Sequence, residues 1–156
     1  MTGPDPTVTT SVTEQTASAS ATVAAAPNDV FEYLRNPANH AAISGDATVI
    51  CDVKGSAPLV AESRFTMKMR RGPVRYRMTS KVVEYDPDRV IAWAHLGGHR
   101  WRWELEPDGD GGTVVTETYD QSTARLRWLN RLLGYPKGHV DNVAQSVANV
   151  ARRFAP

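Results

Sequence analysis

Chain breakers recur at short intervals between Asp46 and Asp120, and this punctuation limits the possible folds more than any other feature. Lys54 to Pro58, Arg71-Gly72-Pro73, Asp86-Pro87-Asp88, Gly97-Gly98 and Pro107 to Gly112 leave six runs of strand length. Connections that short, carrying Gly, Pro and Asp, make hairpins, so the six strands are expected to pair antiparallel as a meander. Ahead of them, residues 14–24 alternate Ala17, Ala19, Ala21 and Val23 with Ser18, Ser20 and Thr22, the period of a first strand. Pro27, Asp29, Val30, Phe31 and Leu34 then mark a short helix that Asn36-Pro37 ends, and a second short helix over 38–43 stops at Gly45. After Thr123 the period becomes helical. Leu126, Leu129, Leu132 and Leu133 form a spur over 124–133, Gly134-Tyr135-Pro136 interrupts it, and an amphipathic helix over 136–154 ends the chain. The expected class is α+β: a seven-stranded curved antiparallel sheet wrapped around a long C-terminal helix, with two short helices between strands one and two.

A length of 156 residues with 41% hydrophobic side chains suits a single domain with a core and room for a cavity. Residues 1–13, rich in Thr and poor in large apolar groups, are expected to be a disordered tail, and 14–156 the domain. No run approaches the roughly 20 apolar residues of a membrane-spanning helix, and the opening residues lack a leader pattern, so a cytoplasmic protein is expected. A net charge of +1 argues against bulk attraction to nucleic acid. The single cysteine, Cys51, reads as a small buried hydrophobe.

Alternation splits each strand into two faces. Phe65, Met67 and Met69 point inward against Arg64, Lys68 and Arg70. Tyr76, Met78, Ser80 and Val82 oppose Arg75, Arg77 and Lys81, and Trp101, Trp103 and Leu105 oppose Arg100 and Arg102. In the two ambiguous strands the inward sets are Ile91, Trp93 and His95, and Val115, Glu117 and Tyr119. Bulky aromatic and Met side chains on the sheet thus face the small Val and Ala residues of the helix. Such walls either interlock as a core or enclose an apolar pocket.

Four stretches carry a family likeness: SATVAAAPNDVFEYLRNPANH at 20–40, RWRWELEP at 100–107, GGTVVTETYD at 111–120 and GHVDNVAQSVANVA at 138–151. They resemble the START-like superfamily with the helix-grip fold, also called SRPBCC, and within it the polyketide cyclase/dehydrase-like and lipid-transport proteins. The resemblance implies an elongated hydrophobic cavity between sheet and helix. Its walls would be Phe65, Met67, Tyr76, Met78, Trp93, Trp101, Trp103 and Tyr119, closed by Val140, Val143 and Val147.

Glu117, on the inward face, needs a partner or a raised pKa, and His95 or His99 is the candidate partner. Glu117 with His95 would be the acid/base pair of a cyclase or dehydratase; a satisfied structural pair is the plainer alternative. His40 and His139 make no ligand cluster with a nearby His or Cys, so no metal is assigned, and no cofactor motif is present. The outward cations Arg64, Lys68, Arg70, Arg75, Arg77, Lys81, Arg100 and Arg102 form a basic stripe, either a solvated face or the surface of a protein-interaction module. The spur mixes Arg125, Arg127 and Arg131 with Leu126, Trp128, Leu129, Leu132 and Leu133, as in helices that make transient contact with a membrane, although packing on its own domain accounts for it equally.

Three functions follow in order of preference: binding or transport of a small hydrophobic ligand (lipid, fatty acid or polyketide-like aromatic), a polyketide aromatase/cyclase or dehydratase, and a protein-interaction module. The sequence leaves the oligomeric state open.

Overall fold

The computed structural model describes residues 5–95, 97–134 and 137–156. Eight strands form one antiparallel sheet: β1 (Thr9–Val12), β2 (Thr16–Val23), β3 (Val49–Gly55), β4 (Arg64–Arg71), β5 (Val74–Asp86), β6 (Val90–Ala94), β7 (Arg100–Pro107) and β8 (Thr113–Asp120). Their spatial order is β1-β2-β8-β7-β6-β5-β4-β3. The meander from β3 to β8 is the one the breakers imply, and β2 returns to pair with β8. Between β2 and β3 lie α1 (Pro27–Leu34), a 3-10 turn at Pro37–Asn39 and α2 (His40–Ile43). The chain ends through α3 (Arg127–Leu132), a second 3-10 turn at Lys137–His139 and α4 (Val140–Arg153). The expected helix start at Pro136 lies outside the described residues.

The eighth strand corrects the expected count of seven. Thr9–Val12 falls in the stretch assigned to a disordered tail, yet it pairs with β2 from Thr9↔Ser20 to Val12↔Ala17. All four of its residues are exposed, so burial does not drive its order. The backbone groups along the edge of β2 do. The reversal into β2 is fixed by Thr13, whose backbone N–H donates to the Thr16 carbonyl at 2.8 Å and whose Oγ1 accepts from the Thr16 N–H at 2.9 Å.

Alternation in β2 does what its spacing implies. Ala17, Ala19, Ala21 and Val23 are buried, and their short side chains let α4 lie close against the sheet. On the opposite face Ser18 and Ser20 meet Thr118 and Thr116 of β8, with hydroxyls 3.0 and 2.7 Å apart. α1 buries Val30, Phe31 and Leu34. In β5 the register shifts between Val82 and Glu84, which turns both Val82 and Tyr85 toward the core; Tyr85 meets Phe31 edge-on at 5.6 Å. Cys51 does not join the core. It is exposed on β3, an edge strand with two register shifts of its own.

A helix-gripping cavity as the candidate functional site

A cavity of about 290 Å³ opens between the sheet, α2 and the start of α4. That is about twice the ~150 Å³ that accepts one benzene, hence room for a guest of two-ring size. The sheet supplies Phe65, Met67, Tyr76 and Met78 from β4 and β5, then Trp93 from β6, Trp101 and Trp103 from β7, and Tyr119 from β8. Phe65, Met67, Trp103 and Tyr119 are buried, whereas Arg71 and Asp46 are exposed, so these two mark the mouth.

The helix wall differs from expectation. Val143 and Val147 are fully buried in the core, and Val140 is partly buried against it, but none of the three lines the cavity. His139, Asn142 and Ser146 do. The valine stripe faces β2 and β8, over which α4 sits, and residues one position earlier are turned by about 100° toward the open space. Asn142 is therefore a cavity residue.

Glu117 and His95 both line the cavity without being partners. Glu117 is buried, and its hydrogen-bond partner is Ser146 of α4. The Gly45 N–H donates to Ser146 Oγ at 3.0 Å, which leaves the serine hydroxyl hydrogen for Glu117. Gly45 is required there, because a Cβ would fall 2.0 Å from the Asn142 carbonyl oxygen. Burial pushes the Glu117 carboxyl well above the usual carboxylate range, outweighing the Ser146 hydrogen bond, while Asp46 raises it further. Its Oε2 has no hydrogen-bond partner among the described residues.

His95 instead meets Ser80, with Nδ1 and Oγ 2.6 Å apart. Burial, aided by His99, lowers its pKa to about 4. All four histidines of the chain line this cavity, including His40 and His139, to which the sequence assigned no role. His40 contacts the Leu34 carbonyl through Nε2 at 2.8 Å and stacks on Trp93 with ring centres 4.7 Å apart. Burial takes its pKa to about 4. At the other side His99, Trp101, Tyr119 and His139 form one ring cluster; Tyr119 and His139 are 4.2 Å apart. His99 and His139 are also lowered, chiefly by burial. Among the described residues no three His, Cys, Asp or Glu side chains are grouped to hold a metal ion.

A gripped helix over a curved sheet, with a cavity of ligand size between them, defines a ligand-binding helix-grip domain. Residues 14–155 match the family described as polyketide cyclase / dehydrase and lipid transport. The chain belongs to that family, within the START-like (SRPBCC) superfamily. An uncharacterised Mycobacterium tuberculosis protein is 33% identical over 143 residues. The match takes in 88% of this chain and 63% of that protein, so the chain spans less than two thirds of its curated relative. Among solved structures, a Rhodobacter sphaeroides protein superposes with a TM-score of 0.69 at 12% identity, over 93% of this chain and 95% of the other. The Zhui aromatase/cyclase from a Streptomyces species gives 0.61 at 17% identity, over 89% and 94%. At those identities the likeness concerns the fold.

Proposed function

We propose that this domain binds or carries a small, uncharged, hydrophobic ligand between sheet and α4. One feature carries the reading: burial shifts the titratable groups inside the cavity toward their neutral forms. Glu117 is shifted up and all four histidines are shifted down, and among the described lining residues Asp46 and Arg71, both at the mouth, are the exposed charged ones. An ionised guest would meet no buried counter-charge there, whereas an apolar one loses nothing on entry. Native mass spectrometry of freshly purified protein tests this. An apolar molecule should co-purify or be taken up from a two-ring panel; a protein that stays empty against every member contradicts it.

Catalysis in the same cavity is the second reading. It is favoured by Glu117, which as a buried protonated carboxyl is a candidate proton donor for cyclisation or dehydration of a polyketide-like substrate. Its mechanism differs from an acid/base dyad, since Glu117 works with Ser146 and His95 with Ser80. Glu117→Gln should abolish turnover and keep most of the binding; unchanged turnover removes this reading.

We further read α3 as the place where ligand passes to and from a membrane. Trp128 and Leu132, one turn apart, are 66% and 78% exposed, and Leu126 and Leu133 are exposed beside them. Between Asp120 and Asp141 the sequence holds four cations and no acid, a match to an anionic lipid surface. Arg131 meets Glu14, but both are well exposed. Asn130, on the same short helix, lines the cavity.

A further inference from the structure

Two buried polar atoms beside the cavity lack any partner among the described residues: Trp103 Nε1 and Glu117 Oε2. They belong to residues that face each other directly across β7 and β8, on the cavity side of the sheet. A buried polar atom left without a hydrogen bond costs free energy, and one such atom in a native fold calls for an explanation; two from paired residues at one wall call for a common one.

We propose that this wall takes the carbonyl oxygen of an otherwise apolar guest, held between Trp103 Nε1 and the Glu117 carboxyl. The assignment follows from what each atom can do. Indole Nε1–H donates and never accepts. The Ser146 hydroxyl donates to one oxygen of Glu117, so when burial keeps the acid protonated the unpartnered Oε2 is the oxygen free to carry the proton. The two donors sit on directly paired residues of one wall, and a carbonyl oxygen has two lone pairs and no hydrogen of its own. A hydroxyl would bring a hydrogen of its own, which an indole N–H cannot accept and a carboxyl O–H accepts only weakly. A carboxylate would be a charged group buried beside Trp103, and the one Arg or Lys among the described lining residues is the exposed Arg71 at the mouth. The favoured class is therefore a ketone or quinone on a compact hydrocarbon frame. This rests on the reading of the cavity as a binding site, and the experiment separates the two.

The probes are α-tetralone and tetralin, which differ only in the ketone, titrated into the full chain by calorimetry. Tetralone should bind about tenfold more tightly, as expected for two ordinary hydrogen bonds. Its carbonyl stretch should move to lower frequency in the bound state. Trp103→Phe, which keeps the ring and removes the donor, should cut the preference to about threefold. Glu117→Leu should do the same, and Glu117→Gln, whose amide still donates, should restore part of it. Equal affinity of the two probes, or an unshifted carbonyl stretch, overturns the inference and leaves the apolar cavity standing. A preference for tetralol over tetralone also overturns it, in favour of a hydroxyl. If neither hydrocarbon nor ketone binds, the inference and the binding reading both fall. The wild-type infrared measurement decides even where a variant fails to fold.

Discussion

Glu117 and His40 put opposite pH dependences into the same cavity wall. The folded protein holds a proton on Glu117 at pH values where the unfolded chain, with a carboxyl near 4.5, has lost it. That contribution is complete below pH 4.5 and is lost as pH rises through the folded value. His40 and His95, near 4 in the fold and 6.5 outside it, behave in reverse. Below pH 6.5 the unfolded chain binds protons that the fold refuses, so stability is lost as pH falls from 6.5 toward 4, on the order of 3 kcal/mol for His40 alone. Several histidines outweigh one carboxyl, so stability should peak above pH 6.5. Glu117→Gln removes only the opposing part. In urea unfolding, the wild-type advantage over this variant should shrink between pH 5 and pH 8, by up to about 1.4 kcal/mol per pH unit until the carboxyl ionises. Parallel profiles for the two proteins would show that Glu117 is already ionised.

The β4–β5 hairpin, an element of the fold, shows a charge arrangement that stability alone does not favour. Its register sets Lys68 opposite Arg77, Arg70 opposite Arg75 and Arg64 opposite Lys81. Among the described residues only Lys81 of these six has an acid beside it, Glu62, whereas Arg102 two strands away is neutralised by Glu84 and Glu104. Like charges directly opposed cost a few tenths of a kcal/mol per pair. Arg77→Glu should therefore stabilise the fold by about 0.5 kcal/mol in urea unfolding, a gain that fades with added salt. No gain at low salt would mean the cations are already neutralised. α3 is the other element with such a cost, because it turns its greasy face to solvent. The full chain should co-sediment with vesicles of equimolar phosphatidylcholine and phosphatidylglycerol, more weakly at high salt. Replacing Leu132 and Leu133 together by Ser should reduce this about tenfold. Equal sedimentation of variant and wild type would place the contact elsewhere.

These elements also show what a sequence encodes locally. Strand faces were legible because side chains alternate whatever the partner strand: Phe65, Met67, Trp103 and Glu117 all point inward as spaced. The rotation of α4 was not, since a helical period identifies a buried stripe of Val140, Val143 and Val147 without saying that β2 and β8 take it. The pairing of Glu117 with Ser146, and the approach of Gly45 to α4, join residues too far apart in the chain for spacing to reveal. β1 left no mark in composition because backbone groups hold it.

At the scale of the whole molecule, the cavity sets how stable the fold is without a guest. Side chains around an unfilled space lack contacts on one side, so the empty protein is less stable than a solid core of the same chain. A guest that fills the space restores those contacts only in the folded state, which makes the melting temperature depend on its concentration. At a hundred times its dissociation constant such a guest adds about 2.7 kcal/mol. For a chain of this length each kcal/mol moves the midpoint by roughly 2–4 °C, so α-tetralone at that excess should raise it by about 5–10 °C. Met78→Trp provides the control. Met78 lines the cavity on β5 and is only partly buried, so a larger ring at that position projects into the open space. This variant should melt no lower than the unliganded wild type and gain little from the ketone. If it gains as much as wild type, the guest binds somewhere else, and the space beneath α4 is a packing defect.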